Sequence, residues 1–433
     1  MEKINYQQIE ETVYTEVLPN GLTVTLLPKN NFHKTYGLFT TKYGSIDNEF
    51  VPLGTNKKIE VPDGIAHFLE HKLFEKKEGD VFQKFGSMGA AANAFTSFTQ
   101  TSYLFSSTSQ VKENLKTLLD FVQEPYFTDK TVNKEKGIIA QEIQMYEDDP
   151  DWRLLFGLLE NLYPKHPIRI DIAGTVDSIM DITPELLHTC YQTFYHPSNM
   201  TLFVVGKLEP EEMMTFIREN QAEKKFAEAK GIQRFFPEES VDEIKKFKSI
   251  EMPVNRPKSI VGVKGVGPTP QGKEAMIQKT AYDLLLRLLF GPTSSNYLRL
   301  YDEGIIDDSF SYEYNLERTF NFSAISSDAK NPELFSETIK GLLLNAADST
   351  ELTEKNLLLT KKRAIGQHLR SLNSLEYIAN QYNQQVYGST TLFDLVHIIE
   401  SITLADIKKL AKEMMVEDHI SIFHILAKGV NNE

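Results

Sequence analysis

Two histidines four residues apart enclose a glutamate in His67-Phe68-Leu69-Glu70-His71. The pentad sits within Gly64-Ile65-Ala66-His67-Phe68-Leu69-Glu70-His71-Lys72-Leu73-Phe74, where both flanks are apolar. Those flanks predict a helix and argue against a fully solvent-facing one. On a helix, His67 and His71 fall one turn apart on the same face. That is the spacing with which two imidazoles hold one Zn²⁺. Glu70 projects from nearly the same side and is placed to take a proton from a water held by the metal. The pattern reads H-x-x-E-H, the inverse of H-E-x-x-H.

A catalytic zinc usually takes three protein ligands and keeps one position for water. The third ligand must therefore come from elsewhere in the chain. Residues 130–147 read as a helix on which Glu135 and Glu142, two turns apart, share a face. Ile138, Ile139, Met145 and Tyr146 are expected on or near that face, and Glu147 points elsewhere. Two carboxylates on an apolar stripe need a reason to be buried, and a cation supplies one.

Length and charge narrow the alternatives. A chain of 433 residues is too long for one ordinary core. Its 41% hydrophobic and 24% charged residues are those of a soluble globular protein. No apolar run reaches the length of a membrane span. A net charge of −14 argues against nucleic acid as a partner. If that charge lines a cavity, it favours basic peptides. The opening residues lack an apolar signal region, and there is one cysteine, Cys190. Both point to a reducing cytoplasm. Cys190 lies in an amphipathic segment and reads as core, not as a nucleophile.

Two distant segments read alike. Thr183-Pro184-Glu185 opens a helix that gives way to a strand at 199–206, and Thr403-Leu404-Ala405-Asp406 opens another before a strand at 419–426. Further strands are expected at 21–27 and 258–263. The echo indicates a divergent duplication of a unit of roughly 200 residues. The expected organisation is an α+β fold of two homologous halves. Residues 1–217 carry the zinc motif, 218–247 form a charged linker, and 248–433 form the second half.

Several runs together resemble the pitrilysin/insulinase family of inverted-motif zinc peptidases. They are residues 64–74, Gly89-Ala90-Ala91-Ala92-Asn93-Ala94-Phe95-Thr96 with Thr101-Ser102-Tyr103, residues 135–146, and Tyr195-His196-Pro197-Ser198-Asn199-Met200. The resemblance implies that His67, His71 and Glu142 bind zinc, that Glu70 is the general base, and that Glu135 supports the site. It implies that a substrate strand pairs beside Asn93 and Ala94. It also implies halves that are each two similar α+β units and that close like a clamshell around a chamber.

The second half departs from the family pattern. Active members carry an arginine and a tyrosine in a Leu-Arg-Glu-x-x-Gly-x-x-Tyr-like run. Aligned on Gly304, the arginine position holds Leu300 or Tyr301 and the tyrosine position holds Asp307. Arg299, Arg287 and Tyr312 are the nearby residues of the right type. Some relatives, including the mitochondrial processing peptidase, divide the work between two homologous subunits. The expectation is a zinc metalloendopeptidase acting on peptides or unfolded segments, as the zinc-bearing subunit of a heterodimer. A homodimer, or a non-catalytic structural or peptide-binding subunit of the same fold, is the competing expectation.

Overall fold

The computed structural model describes residues 1–382 and 384–429. It contains two compact units, each built around one mixed sheet with its own apolar core. The first unit takes Met1–Gln144, Ile170–Phe236 and Leu372–Asn383. The second takes Met145–Arg169, Pro237–Ser371 and Gln384–Glu433.

The first sheet has seven strands: β1 (Glu2–Tyr6), β2 (Glu11–Val17), β3 (Thr23–Pro28), β4 (Thr35–Thr41), β5 (Ala91–Thr96), β6 (Thr101–Ser107) and β7 (Met200–Gly206). Their order is β1-β2-β3-β7-β4-β6-β5, which leaves β5 at an edge. The second has β8 (Phe247–Met252), β9 (Lys258–Lys264), β10 (Ser311–Leu316), β11 (Asn321–Asp328) and β12 (Ile420–Ala427), in the order β8-β12-β9-β11-β10. The five strands β3-β7-β4-β6-β5 match β8-β12-β9-β11-β10 one for one. The first pair is parallel in both sheets and the other three pairs are antiparallel. The duplication read from the sequence is thus a duplication of the halves, each with a single main sheet.

Thr183 and Thr403 both cap helices as expected, accepting from the backbone N–H of Leu186 and Asp406. The predicted strands at 21–27, 199–206, 258–263 and 419–426 are present as β3, β7, β9 and β12, with bounds shifted by one or two residues.

The division of the chain is more interleaved than boundaries at 217 and 248. Helix Pro150–Leu162 belongs to the second unit, where Gly157 faces the Phe423 ring and Gly262 faces Leu158. Helix Leu375–Tyr382 belongs to the first, where Tyr382 meets Phe203 with ring centroids 4.9 Å apart. The charged stretch also differs from a free linker. Residues 218–222 end the helix Pro210–Ala222, and Arg234 bridges to Phe50. Backbone bonds from Val51 to Gln233 and from Phe235 to Glu49 pin residues 233–235 to the first unit, whereas bonds from Lys245 to Asn161 and from Ile422 to Lys246 tie the end of the stretch to the second. Its composition is polar, but backbone groups of Gln233, Phe235, Lys245 and Lys246 are used in pairing.

Candidate metal centre

The pentad lies on α1 (Ile65–Phe74), in which every residue but His71 is buried. Gly64 precedes it with φ of 84°, and a Cβ there would meet the carbonyl oxygen of Ala173 at 2.2 Å. Only glycine suits both conditions. The two imidazoles project from one face, with ring centroids 4.5 Å apart.

The opposing carboxylates come from α2 (Asp129–Glu147). Val132, Glu135, Ile139 and Ile143 form its buried stripe. Ile138 and Met145, expected on that stripe, are 45% and 59% exposed. Counted at 3.6 residues per turn from Val132, the stripe passes through positions 135, 139 and 143 and leaves 138 and 145 to the side.

Glu142 Oε1 lies 3.6 Å from His67 Nε2, and Glu142 Oε2 lies 3.6 Å from His71 Nε2. One donor atom from each of the three residues falls within 4.8 Å of the others. A separation of 3.6 Å is too long for a good hydrogen bond. It is close to the roughly 3.4 Å between ligand atoms that share one tetrahedral zinc. Two imidazoles and a carboxylate also form a donor set that suits zinc, so these residues fit the metal.

Neighbouring groups prepare the donors. Burial pulls the His67 imidazole down to about 3, assisted by His71, which keeps it neutral with a lone pair to give. His67 Nδ1 is buried without a hydrogen-bond partner. For His71, burial acts downward but is outweighed by the hydrogen bond to Glu135 and by the charges of Glu70, Glu142 and Glu135. His71 Nδ1 lies 3.1 Å from Glu135 Oε1, which leaves Nε2 facing Glu142. Glu135 is buried, yet His71 and Lys72 hold its carboxyl below the usual range. Burial pushes Glu70 up to about 7, opposed by a hydrogen bond from Thr96 Oγ1 at 2.6 Å and by His71.

Asn93 and Ala94 lie on the edge strand β5, paired with Leu104 and Tyr103 of β6. Asn93 Oδ1 accepts from the Ala94 N–H. Both residues line a cavity of about 660 Å³ together with Glu70, His71, Glu135 and Phe74. The residues singled out from sequence for catalysis and substrate pairing are therefore brought together in one unit.

Sequence reasoning missed Lys72 and Thr96. Lys72 is wholly buried, bonds Glu75, and stands 3.8 Å from Glu135 Oε2. Its signal was available, because a lysine inside an apolar helix needs a carboxylate partner. Thr96 closes the Asn93-Ala94 run and reaches back to Glu70, which no sequence pattern indicated. Cys190 is buried, and burial pushes its thiol up to about 12, as expected of a core residue and not of a nucleophile.

The family model for Insulinase (Peptidase family M16) matches residues 51–176, and that for the Peptidase M16 inactive domain matches residues 181–363. A Bacillus subtilis protein named uncharacterized zinc protease YmfH is 52% identical over 98% of this chain and 99% of its own length. The chain belongs to peptidase family M16. A crystal structure from Alicyclobacillus acidocaldarius, described as an M16-like peptidase, superposes with a TM-score of 0.92 at 40% identity. That match covers 96% of this chain and 99% of the other. An Arabidopsis thaliana relative named "Probable mitochondrial-processing peptidase subunit beta" is 27% identical over 46% of this chain and 37% of its own length. Among the described residues, no helix is long and apolar enough to cross a membrane.

In the second unit, the residues that align with the expected arginine and tyrosine are committed elsewhere. Leu300 is fully buried in the apolar core. Tyr301 donates to Asp308, and Asp307 is bound 2.7 Å from Arg256. Arg299 is paired with Glu303 at 3.2 Å on an exposed helix face.

Proposed function

We propose that this chain is a zinc-dependent endopeptidase acting on peptides or unfolded segments, with His67, His71 and Glu142 as metal ligands. The observation that carries this reading is the convergence of one donor atom from each residue within 4.8 Å, with Glu70 on the same helix as the two histidines. When bound, zinc supplies Lewis acidity and lowers the pKa of a coordinated water toward neutrality. Glu70 takes the proton from the attacking water and returns it to the leaving amine. Thr96 fixes the Glu70 carboxylate during that exchange. Glu135 holds His71 through Nδ1, so that Nε2 keeps its lone pair for the metal. The peptide pairs in extended form with β5 beside Asn93 and Ala94, a backbone-led mode that tolerates many sequences.

The chain further acts as the zinc-bearing member of a two-subunit peptidase, with a homologous partner supplying the arginine and tyrosine. Support comes from Leu300, Tyr301 and Asp307, which are committed to a core or to other partners in this chain. The Arabidopsis relative is likewise named as one subunit of a peptidase.

Zinc stoichiometry and cleavage of a quenched peptide, compared between wild type and Glu70→Gln, test the reading. The expected result is one zinc in both proteins, with cleavage lower by about 10² or more in the variant. Zinc bound without Glu70-dependent cleavage, even with a homologous partner added, would favour a peptide-binding or structural role. Full activity of the purified chain alone would remove the partner from the proposal.

A further inference from the structure

The one-for-one match of the two sheets identifies the place in the second unit that corresponds to the metal centre of the first. In the first unit, that centre is built from the helix after β4, the edge strand β5, and the helix α2 that follows the β5-β6 hairpin and one further helix. The counterparts are α3 (Lys273–Phe290) after β9, the edge strand β10, and α4 (Glu354–Ser371), which follows the β10-β11 hairpin and one further helix. A cavity of about 420 Å³ lies there, lined from α3 by Arg287, from β10 by Tyr312, and from α4 by Arg363 and Gln367.

Its chemistry is reversed. Where the first unit presents imidazoles and carboxylates, the second presents two guanidiniums and a phenol. Arg287 Nη1 donates to Gln367 Oε1 at 2.6 Å, which fixes one guanidinium. Burial raises the Tyr312 phenol, opposed by the charges of both Arg287 and Arg363 and joined by Asp283, which lies outside the lining and is paired with Lys279 at 2.6 Å. The one carboxylate in the lining, Glu351, is taken up by the Ser295 N–H and hydroxyl. The cavity is thus cationic in a chain of net charge −14.

We propose that this cavity binds the free carboxylate at the C-terminal end of a peptide. Two arginines and a tyrosine hydroxyl suit a planar carboxylate, which a guanidinium holds through paired N–H donors. Leu288, Pro292 and Leu359 in the same lining receive the side chain beside it. Ordinary ligand pockets start at about 300 Å³, so there is room for a terminal residue and its neighbour. Inorganic phosphate shares the anionic chemistry but has no apolar part to use these walls. The choice of a peptide rests on the peptidase reading above, because cleavage generates new carboxylate ends.

Binding can be measured by anisotropy on the full chain carrying Glu70→Gln, which prevents turnover. The probe is an N-terminally labelled pentapeptide, as the free acid and as the C-terminal amide, with inorganic phosphate as competitor. The acid should bind at least about tenfold more tightly than the amide. Adding Arg363→Met, at an exposed position whose loss should leave the fold intact, should abolish that preference, and Arg287→Met should reduce it. Equal binding of acid and amide, or a preference that survives both substitutions in a folded protein, would overturn the proposal. Phosphate binding at this cavity with neither peptide form bound would overturn its assignment to peptides. Cleavage by the wild-type chain is read separately. An acid preference lost in Arg363→Met supports the cavity even if no cleavage is found.

Discussion

Lys72 Nζ lies 3.8 Å from Glu135 Oε2 with the lysine side chain fully buried. Glu135 in turn stands 3.1 Å from His71 Nδ1. A buried cation, a carboxylate and a proposed zinc ligand therefore form one chain of contacts. Lys72→Met keeps the volume and removes the charge, leaving Glu135 and Glu75 without their cation. Zinc affinity should fall by about 10–100-fold, as is usual when an outer partner of a metal ligand is lost. Stability should fall by about 1–3 kcal/mol, because Glu75 loses its cation while Glu135 keeps only His71. A chelator competition titration and urea unfolding measure the two effects. Unchanged zinc affinity would show that Glu135 holds His71 without help.

Thr96 ties the substrate strand to the proposed base. Thr96→Val removes the hydrogen bond to Glu70 while keeping the side-chain shape. The rate of peptide cleavage should fall by about 10- to 100-fold with zinc content unchanged, because a hydrogen bond to a charged group contributes about 1.5–3 kcal/mol. A matched loss of zinc in the variant would instead mean that Thr96 supports the metal centre as a whole.

Gly64 sets the entry to α1. Gly64→Ala must accommodate φ of 84° and a Cβ 2.2 Å from the Ala173 carbonyl oxygen. The expected cost is about 2 kcal/mol or more, read from the urea midpoint. If α1 shifts to relieve the contact, zinc affinity should fall as well.

Glu239 and Lys264 form a buried ion pair at 2.6 Å in the second unit. Burial alone would raise the Glu239 carboxyl, but Lys264 and the N–H groups of His166 and Lys165 hold it below its ordinary value of 4.5. A depressed carboxyl stabilises the fold above its unfolded pKa, and that contribution is lost as pH falls through the folded one. Wild type should therefore exceed Glu239→Gln in Tm at neutral pH, with the gap narrowing below about pH 4.5. A gap that is constant from pH 7 to pH 3 would remove the ion pair as its cause.

Much of the proposed site could be read from the chain because its parts are local. The spacing of His67, Glu70 and His71 fixes their common face on any helix, and the interval from Glu135 to Glu142 does the same on α2. The helix caps at Thr183 and Thr403 and the strands that follow were equally legible, since caps and strand periodicity are short-range. The duplication followed from them.

What the chain did not specify was which surfaces meet. The apolar face of Pro150–Leu162 would suit either sheet. Packing of Gly157 against Phe423 assigns it to the second unit, just as Tyr382 against Phe203 assigns Leu375–Tyr382 to the first. Lys72 could be joined to Glu135, and Thr96 to Glu70, only once α2 and β5 were placed against α1. The gathering of Arg287, Tyr312 and Arg363 likewise depends on strands and helices far apart in sequence. The local residue pattern determined the chemistry each element carries. Tertiary packing decided which elements share a site, because burial and charge compensation act between surfaces that the sequence keeps dozens of residues apart.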